Sequence, residues 1–218
     1  MRITHLGHAC LLVEIADARV LIDPGTFADD DLAAVRDLDA VLVTHQHPDH
    51  LDPDRVPALV AANPRTQVLC DPGSLDVLRD LGVDAQAHEG PGTVGAVTVT
   101  PVGETHALIH DDIPRIPNVG VRLDAAGEPS FFHPGDAVDA DPGQVDVLAF
   151  PLSAPWARSR EMTAFLRRLD PPHAIPVHDG LLQPRGREVY LKQAGELGGE
   201  HTRIRDLAGV GPVEFATA

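Results

Sequence analysis

The sequence predicts a layered α/β protein, and three observations carry that reading. Short runs rich in Val, Ile and Leu recur along the chain, each of strand length and each closed by Gly, Pro or Asp. Between several of them lie segments with apolar residues at helical spacing. The chain has 218 residues, 43% of them apolar and 23% charged, which is ordinary globular composition and enough for one core. A single domain over residues 1–218 is therefore expected.

The strand runs are, in order, "ACLLVEI", "ARVLI", "AVLVT", "TQVLC", "AVTVTPV", "NVGVRL", "SFF", "VDVLAF" and "HAIPV". Among the helical candidates, "DPDRVPALVAAN" has Asp52 as N-cap and Pro53 at the first helical position, where a missing N–H costs nothing. "SLDVLRDLG" begins at Ser74 and meets Gly82 as its stop. "SREMTAFLRRLD" places Met162, Phe165, Leu166 and Leu169 on one face. A helix near "REVYLKQAGELG" and a strand around "VGPVEF" complete the set. Hairpin-like runs first and interspersed helices later are the pattern of stacked layers.

Charge and composition exclude several classes. With 17 basic and 33 acidic side chains the formal charge is −16, and no block of Arg or Lys forms the basic face that a nucleic-acid binder needs. Nothing approaches the roughly 20 apolar residues of a membrane span, so no membrane association is expected. The chain enters structured sequence directly from "MRITHLGHAC", without the parts of a secretory signal, so a cytoplasmic location is expected. Cys10 and Cys70, both in strand-like surroundings, read as buried free thiols.

The informative residues follow the strands. "VLI" runs into Asp23, "AVLVT" into His45, "VTVTPVGET" into His106, "SFFHPG" into Asp136 and "AIPV" into His178. Side chains delivered from several strand ends can meet on one rim of a sheet. In "THQHPDH", Pro48 keeps the segment from continuing as helix, so His45 and His47 project to one side, with Asp49 and His50 following around the bend. Seven positions thus supply four metal donors of imidazole and carboxylate type. Gly135, before Asp136, permits close backbone approach.

These residues resemble the metallo-β-lactamase superfamily, whose His-x-His-x-Asp-His signature is matched by His45, His47, Asp49 and His50. The resemblance extends over most of the chain: "MRITHLGHACLLVE" and "VLIDPG" are similar to the family's opening strands, "HPGD" to its bridging-aspartate motif and "IPVHDG" to the strand bearing its last histidine. It implies a four-layer αββα sandwich with the site at one edge between two sheets. It further implies two divalent metal ions, zinc foremost with manganese or iron as alternatives. His45, His47 and His106 would hold the first, Asp49, His50 and His178 the second, and Asp136 would bridge them. The implied chemistry is hydrolysis by a metal-bridging hydroxide, with Asp49 taking its proton and Asp23 orienting a ligand.

His106 fits the family position better than His110, four residues on, which would then point into the pocket. His8 and His133 are candidates for supporting or substrate-contacting roles, as is Trp156 for lining the pocket. The short opening, "HPGD" and "PLSAPW" are most similar to the compact branch that includes ascorbate 6-phosphate lactonases. The expected substrate is a small molecule with an ester-type bond, a lactone foremost. Phosphodiester cleavage at the same site, a mono-iron dioxygenase and a non-catalytic binding protein are the alternatives; oligomeric state is left open.

Overall fold

The structure is a computed structural model, and it describes residues 1–217. Two seven-stranded sheets face each other. The first contains β1 (Arg2–His5), β2 (Leu11–Ile15), β3 (Ala18–Ile22), β4 (Ala40–Val43), β5 (Gln67–Cys70) and β6 (Gln86–Ala87) in that spatial order, and β14 (Val213–Glu214) is added beside β1. The second runs from β7 (Gly92–Val94) through β8 (Val97–Val102), β9 (Gly120–Asp124), β10 (Phe131–His133), β11 (Val147–Pro151) and β12 (His173–Val177) to β13 (Arg203–Ile204). Helices α1 (Val56–Ala61) and α2 (Pro72–Asp80) follow β4 and β5; α3 (Ser159–Leu169) and α4 (Pro184–Leu197) follow β11 and β12.

Period-two burial sorts the side chains into layers. Ile22, Leu42 and Val13 point to the inner core with Val99, Phe131, Val147 and Ile175 of the opposite sheet. Their neighbours Leu21, Val41 and Val43 point outward and pack with Val56, Leu59 and Leu78 of α1 and α2. On the far side, Phe132, Leu148 and Phe150 meet Met162, Phe165 and Leu166 of α3 and Ala194 of α4. The central parallel strands β4 and β11 are covered on both faces, which explains why "AVLV" and "VLAFP" are buried without interruption. The layers are thus α, β, β, α.

Strand direction fixes where the site lies. β3 and β4 are parallel, as are β10, β11 and β12. β1 is antiparallel to β2, itself antiparallel to β3, and β8 is related in the same way to β10 through β9. Within each sheet the C-terminal ends of these strands, β1, β3 and β4 in one and β8, β10, β11 and β12 in the other, therefore open on one edge, and the two edges meet where His50 Nε2 lies 3.2 Å from Asp136 Oδ1.

Several boundaries differ from expectation for local reasons. The regular part of α1 starts at Val56, not Pro53; the Asp52 carboxylate accepts from the N–H groups of Asp54 and Arg55 in the turn that leads in. α2 begins at Pro72, not Ser74, because Asp71 is its cap and accepts from Gly73 and Ser74. α4 starts earlier than its apolar pattern, at Pro184, again on a proline. The terminal strand keeps two residues because it pairs only with Arg2 and Ile3. Among the described residues, no helix is long and apolar enough to cross a membrane.

Candidate metal centre

Two clusters of donors form at this edge. His45, His47, His106 and Asp136 bring one ligand atom each within 4.8 Å of one another, and so do His8, Asp49, His50 and His178. Asp136 touches both groups. Its Oδ2 lies 3.3 Å from Nε2 of His106 and 3.2 Å from Nε2 of His178, while Oδ1 lies 3.2 Å from Nε2 of His50. Nε2 of His45 and Nδ1 of His47 are 3.1 Å apart, and Asp49 Oδ2 is 3.4 Å from His178 Nε2. Ligands on one tetrahedral zinc, at about 2.0–2.1 Å from it, stand about 3.3–3.4 Å from each other, so these spacings fit shared ions.

Unpartnered buried atoms meet at the same place. Among the described residues, Nε2 of His50, His106 and His178 and Oδ1 of Asp136 are buried without a partner. Buried polar atoms are rarely left so, and here they converge. The opposite ring atoms are all engaged. His50 Nδ1 donates to Asp23 at 2.7 Å, His106 Nδ1 to the Ala107 carbonyl at 2.7 Å and His178 Nδ1 to the Ser153 carbonyl at 2.8 Å. The Thr44 hydroxyl donates to Asp23 and so accepts from His45 Nδ1 at 3.1 Å. A neutral ring that donates from Nδ1 presents a lone pair at Nε2, which is the metal-ready tautomer.

His8 and His133 have the opposite wiring. His8 Nδ1 accepts from the Gly180 N–H at 3.0 Å, so its proton sits on Nε2 and is donated to Asp49 at 3.1 Å. His133 Nδ1 accepts from Gly135 N–H, and its Nε2 donates to the Ala9 carbonyl. Neither ring has a lone pair free for a cation. His110 lies outside both clusters, exposed, its Nδ1 accepting from the Asp112 N–H. Trp156 Nε1 donates to Asp136 Oδ2 at 2.7 Å and its ring stands edge-on to His106.

The local backbone is built for this convergence. Asp23, His8 and His178 all take positive φ (50°, 53° and 58°), a strained choice for residues with side chains. Gly135 has φ of 61°, and a Cβ there would meet Asn118 Oδ1 at 2.4 Å and Thr44 Oγ1 at 2.6 Å. Two supporting residues escaped the sequence reading. Thr44 links Asp23 to His45, and Asn118 accepts from the Asp136 N–H at 2.9 Å. Thr44 could have been noticed as the residue between strand and signature; Asn118 has no sequence signal, since it comes from a distant loop.

Electrostatics divide the rings. Burial, reinforced by His50, holds His45 well below the ordinary histidine value, and burial with His106 lowers His47. Burial would also lower His50 and His178, but carboxylates outweigh it: Asp136 and Asp23 keep His50 well above the ordinary value, and Asp136 and Asp49 bring His178 to about 9. Asp136 and Asp49 are pushed up by burial and held down more strongly by the surrounding histidines, so both are ionised.

Comparison with known proteins places this geometry in a family. Residues 2–178 match the family described as the beta-lactamase superfamily domain. A Mycobacterium tuberculosis protein, Rv0786c, is 39% identical over 200 residues, covering 90% of this chain and 92% of its own. A UPF0173 metal-dependent hydrolase of Methanopyrus kandleri is 26% identical, covering 91% of this chain and 93% of its own. Among solved structures, an isothiocyanate hydrolase from Delia radicum gut bacteria superposes with a TM-score of 0.73 at 16% identity over 100% of both chains, a likeness of fold. The chain belongs to the beta-lactamase superfamily and has its metallo-β-lactamase fold.

Proposed function

We propose that this chain is a dinuclear metal-dependent hydrolase of a small-molecule ester-type bond, a lactone foremost. His45, His47 and His106 would hold one divalent cation, zinc first among candidates, and Asp49, His50 and His178 the other, with Asp136 between them. The observation that carries this reading is the convergence of unpartnered buried Nε2 and carboxylate atoms at ligand-to-ligand spacing. Cations so held would supply Lewis acidity, activating water near neutral pH and polarising the bond under attack.

The chain's own residues prepare that chemistry. Asp23 and the carbonyls of Ala107 and Ser153 fix the histidine tautomers. His8 steadies Asp49, the more exposed of the two carboxylates, which would take a proton from the incoming nucleophile and return it to the leaving group. No thiol competes for the nucleophile's role, since burial pushes Cys70 up to about 12 and Cys10 higher still. The relative from Methanopyrus kandleri, named a metal-dependent hydrolase, supports the class. Elemental analysis of protein purified without chelator, followed by a screen of lactones and then phosphodiesters, is the test. Two ions per chain with hydrolysis is the expected result. One iron per chain would mean a dioxygenase, and no metal after reconstitution a binding protein.

A further inference from the structure

A cavity of about 650 Å³ opens beside the donor clusters, within the ~300–1,000 Å³ range of small-molecule sites. It shares a wall with them: Trp156 lines it while donating to Asp136, and Ala107 lines it while accepting from His106. Leu108 and Ile109, on the loop after His106, also line it and are 53% and 37% exposed, so an apolar surface stands uncovered at the mouth. Arg115 and Arg158 line the same space. Arg115 Nε donates to the His106 carbonyl at 2.7 Å, which ties its guanidinium to the backbone of a candidate metal ligand. Among the described residues neither arginine has a carboxylate within ion-pair distance, although the chain carries 33 acidic side chains. Acids reach the lining too: Glu161 accepts from the Arg158 N–H, and Asp111 and Asp139 are exposed, as are both arginines; what sets Arg115 apart is its tie to the His106 carbonyl beside the donor clusters.

We infer that this cavity is the substrate pocket and takes an amphipathic anionic ester, its apolar part against Trp156, Leu108 and Ile109 and its carboxylate or phosphate on Arg115. The inference rests on the hydrolase reading for the word substrate, but not for the binding chemistry. A planar guanidinium with free N–H groups suits either oxyanion. The apolar wall supplies the area, and the arginine fixes where the charged end of the molecule sits.

Trp156 is the sole tryptophan, so intrinsic fluorescence reads this cavity directly, without turnover. Phenylacetate, phenyl phosphate and the neutral phenylacetamide are titrated into metal-loaded and metal-free protein. Expected is a saturable emission change with at least one anion, bound about tenfold or more tighter than the amide, as charge-assisted hydrogen bonds would give. Which anion responds identifies the oxyanion. Arg115→Gln should reduce that anion to the level of the amide, and Leu108→Ser should weaken all three probes. If Arg115→Gln melts early, Arg115→Lys, which keeps the charge, should retain the preference for anions. Equal binding of amide and anion would overturn the anionic class, and no saturable response would overturn the pocket. An Arg115-dependent response in protein that holds no metal and hydrolyses nothing would leave the binding inference standing while the hydrolase reading fails.

Discussion

The substitution Asp23→Asn is the sharpest test of how the centre is wired. Asp23 is fully buried and accepts three hydrogen bonds: from Thr44 N–H at 2.8 Å on Oδ1, and from the Thr44 hydroxyl and His50 Nδ1, each at 2.7 Å, on Oδ2. In the Asp23→Asn variant the amide oxygen must stay on the Thr44 N–H, because the backbone donor cannot turn away. The amide NH₂ then occupies the Oδ2 position and faces His50 Nδ1 with a donor. His50 must shift its proton to Nε2, the atom proposed to bind a cation. Disturbing such an outer partner costs about 10–100-fold in metal affinity, or about 1.4–2.7 kcal/mol. Competition against a coloured chelator should show this weakening for one of two ions, and nitrogen-resolved NMR of metal-free protein should show His50 without its Nδ1 proton and protonated on Nε2 alone. Two ions bound with unchanged affinity, or an unchanged His50 tautomer, would refute the reasoning.

Other consequences are checked more simply. His106→Ala should lose an ion by elemental analysis, whereas His110→Ala should keep both; the reverse pattern would exchange their roles. In metal-free protein, His178 is raised from 6.5 to about 9 by Asp136 and Asp49 against the pull of burial, so its stabilising contribution is complete below pH 6.5 and lost as pH rises through about 9. The Tm of metal-free protein should fall across that window, while metal-loaded protein should not follow it, and metal uptake within the window should release protons. Phe131, fully buried between the sheets, should cost about 3–5 kcal/mol when replaced by Ala, measured by urea unfolding. A loss below about 1 kcal/mol would mean that the inter-sheet layer is not the core.

The strands and the donors at their ends were legible in the amino-acid order because both are local. Burial on two faces demands unbroken apolar runs such as "AVLV", and the turn after each run is where a polar residue can stand. His45, His47, Asp49 and His50 lie in one turn, so their spacing alone announced them. Helix starts were less legible, since Asp52 and Asp71 each cap a turn, and only backbone geometry decides how much of that turn becomes helix. The short strands β6, β7 and β13 have too few residues to show a period.

What the chain order could not decide was which nitrogen of each histidine is free. His8 and His50 are the same residue type a few ångströms apart, with ring centroids 6.0 Å from each other. One receives a backbone N–H and turns its proton towards Asp49; the other gives its proton to Asp23 and keeps a lone pair for the centre. Those partners, Gly180 and Asp23, are 172 and 27 residues away, so tertiary structure assigns the roles: the pairing of β3 with β4 brings Asp23 to His50, and the closure of the two sheets brings Gly180 to His8. The cavity beside Trp156 is tertiary for the same reason: the loops after β8, β10 and β11 and the start of α3 line it together, and none of them has a pocket by itself.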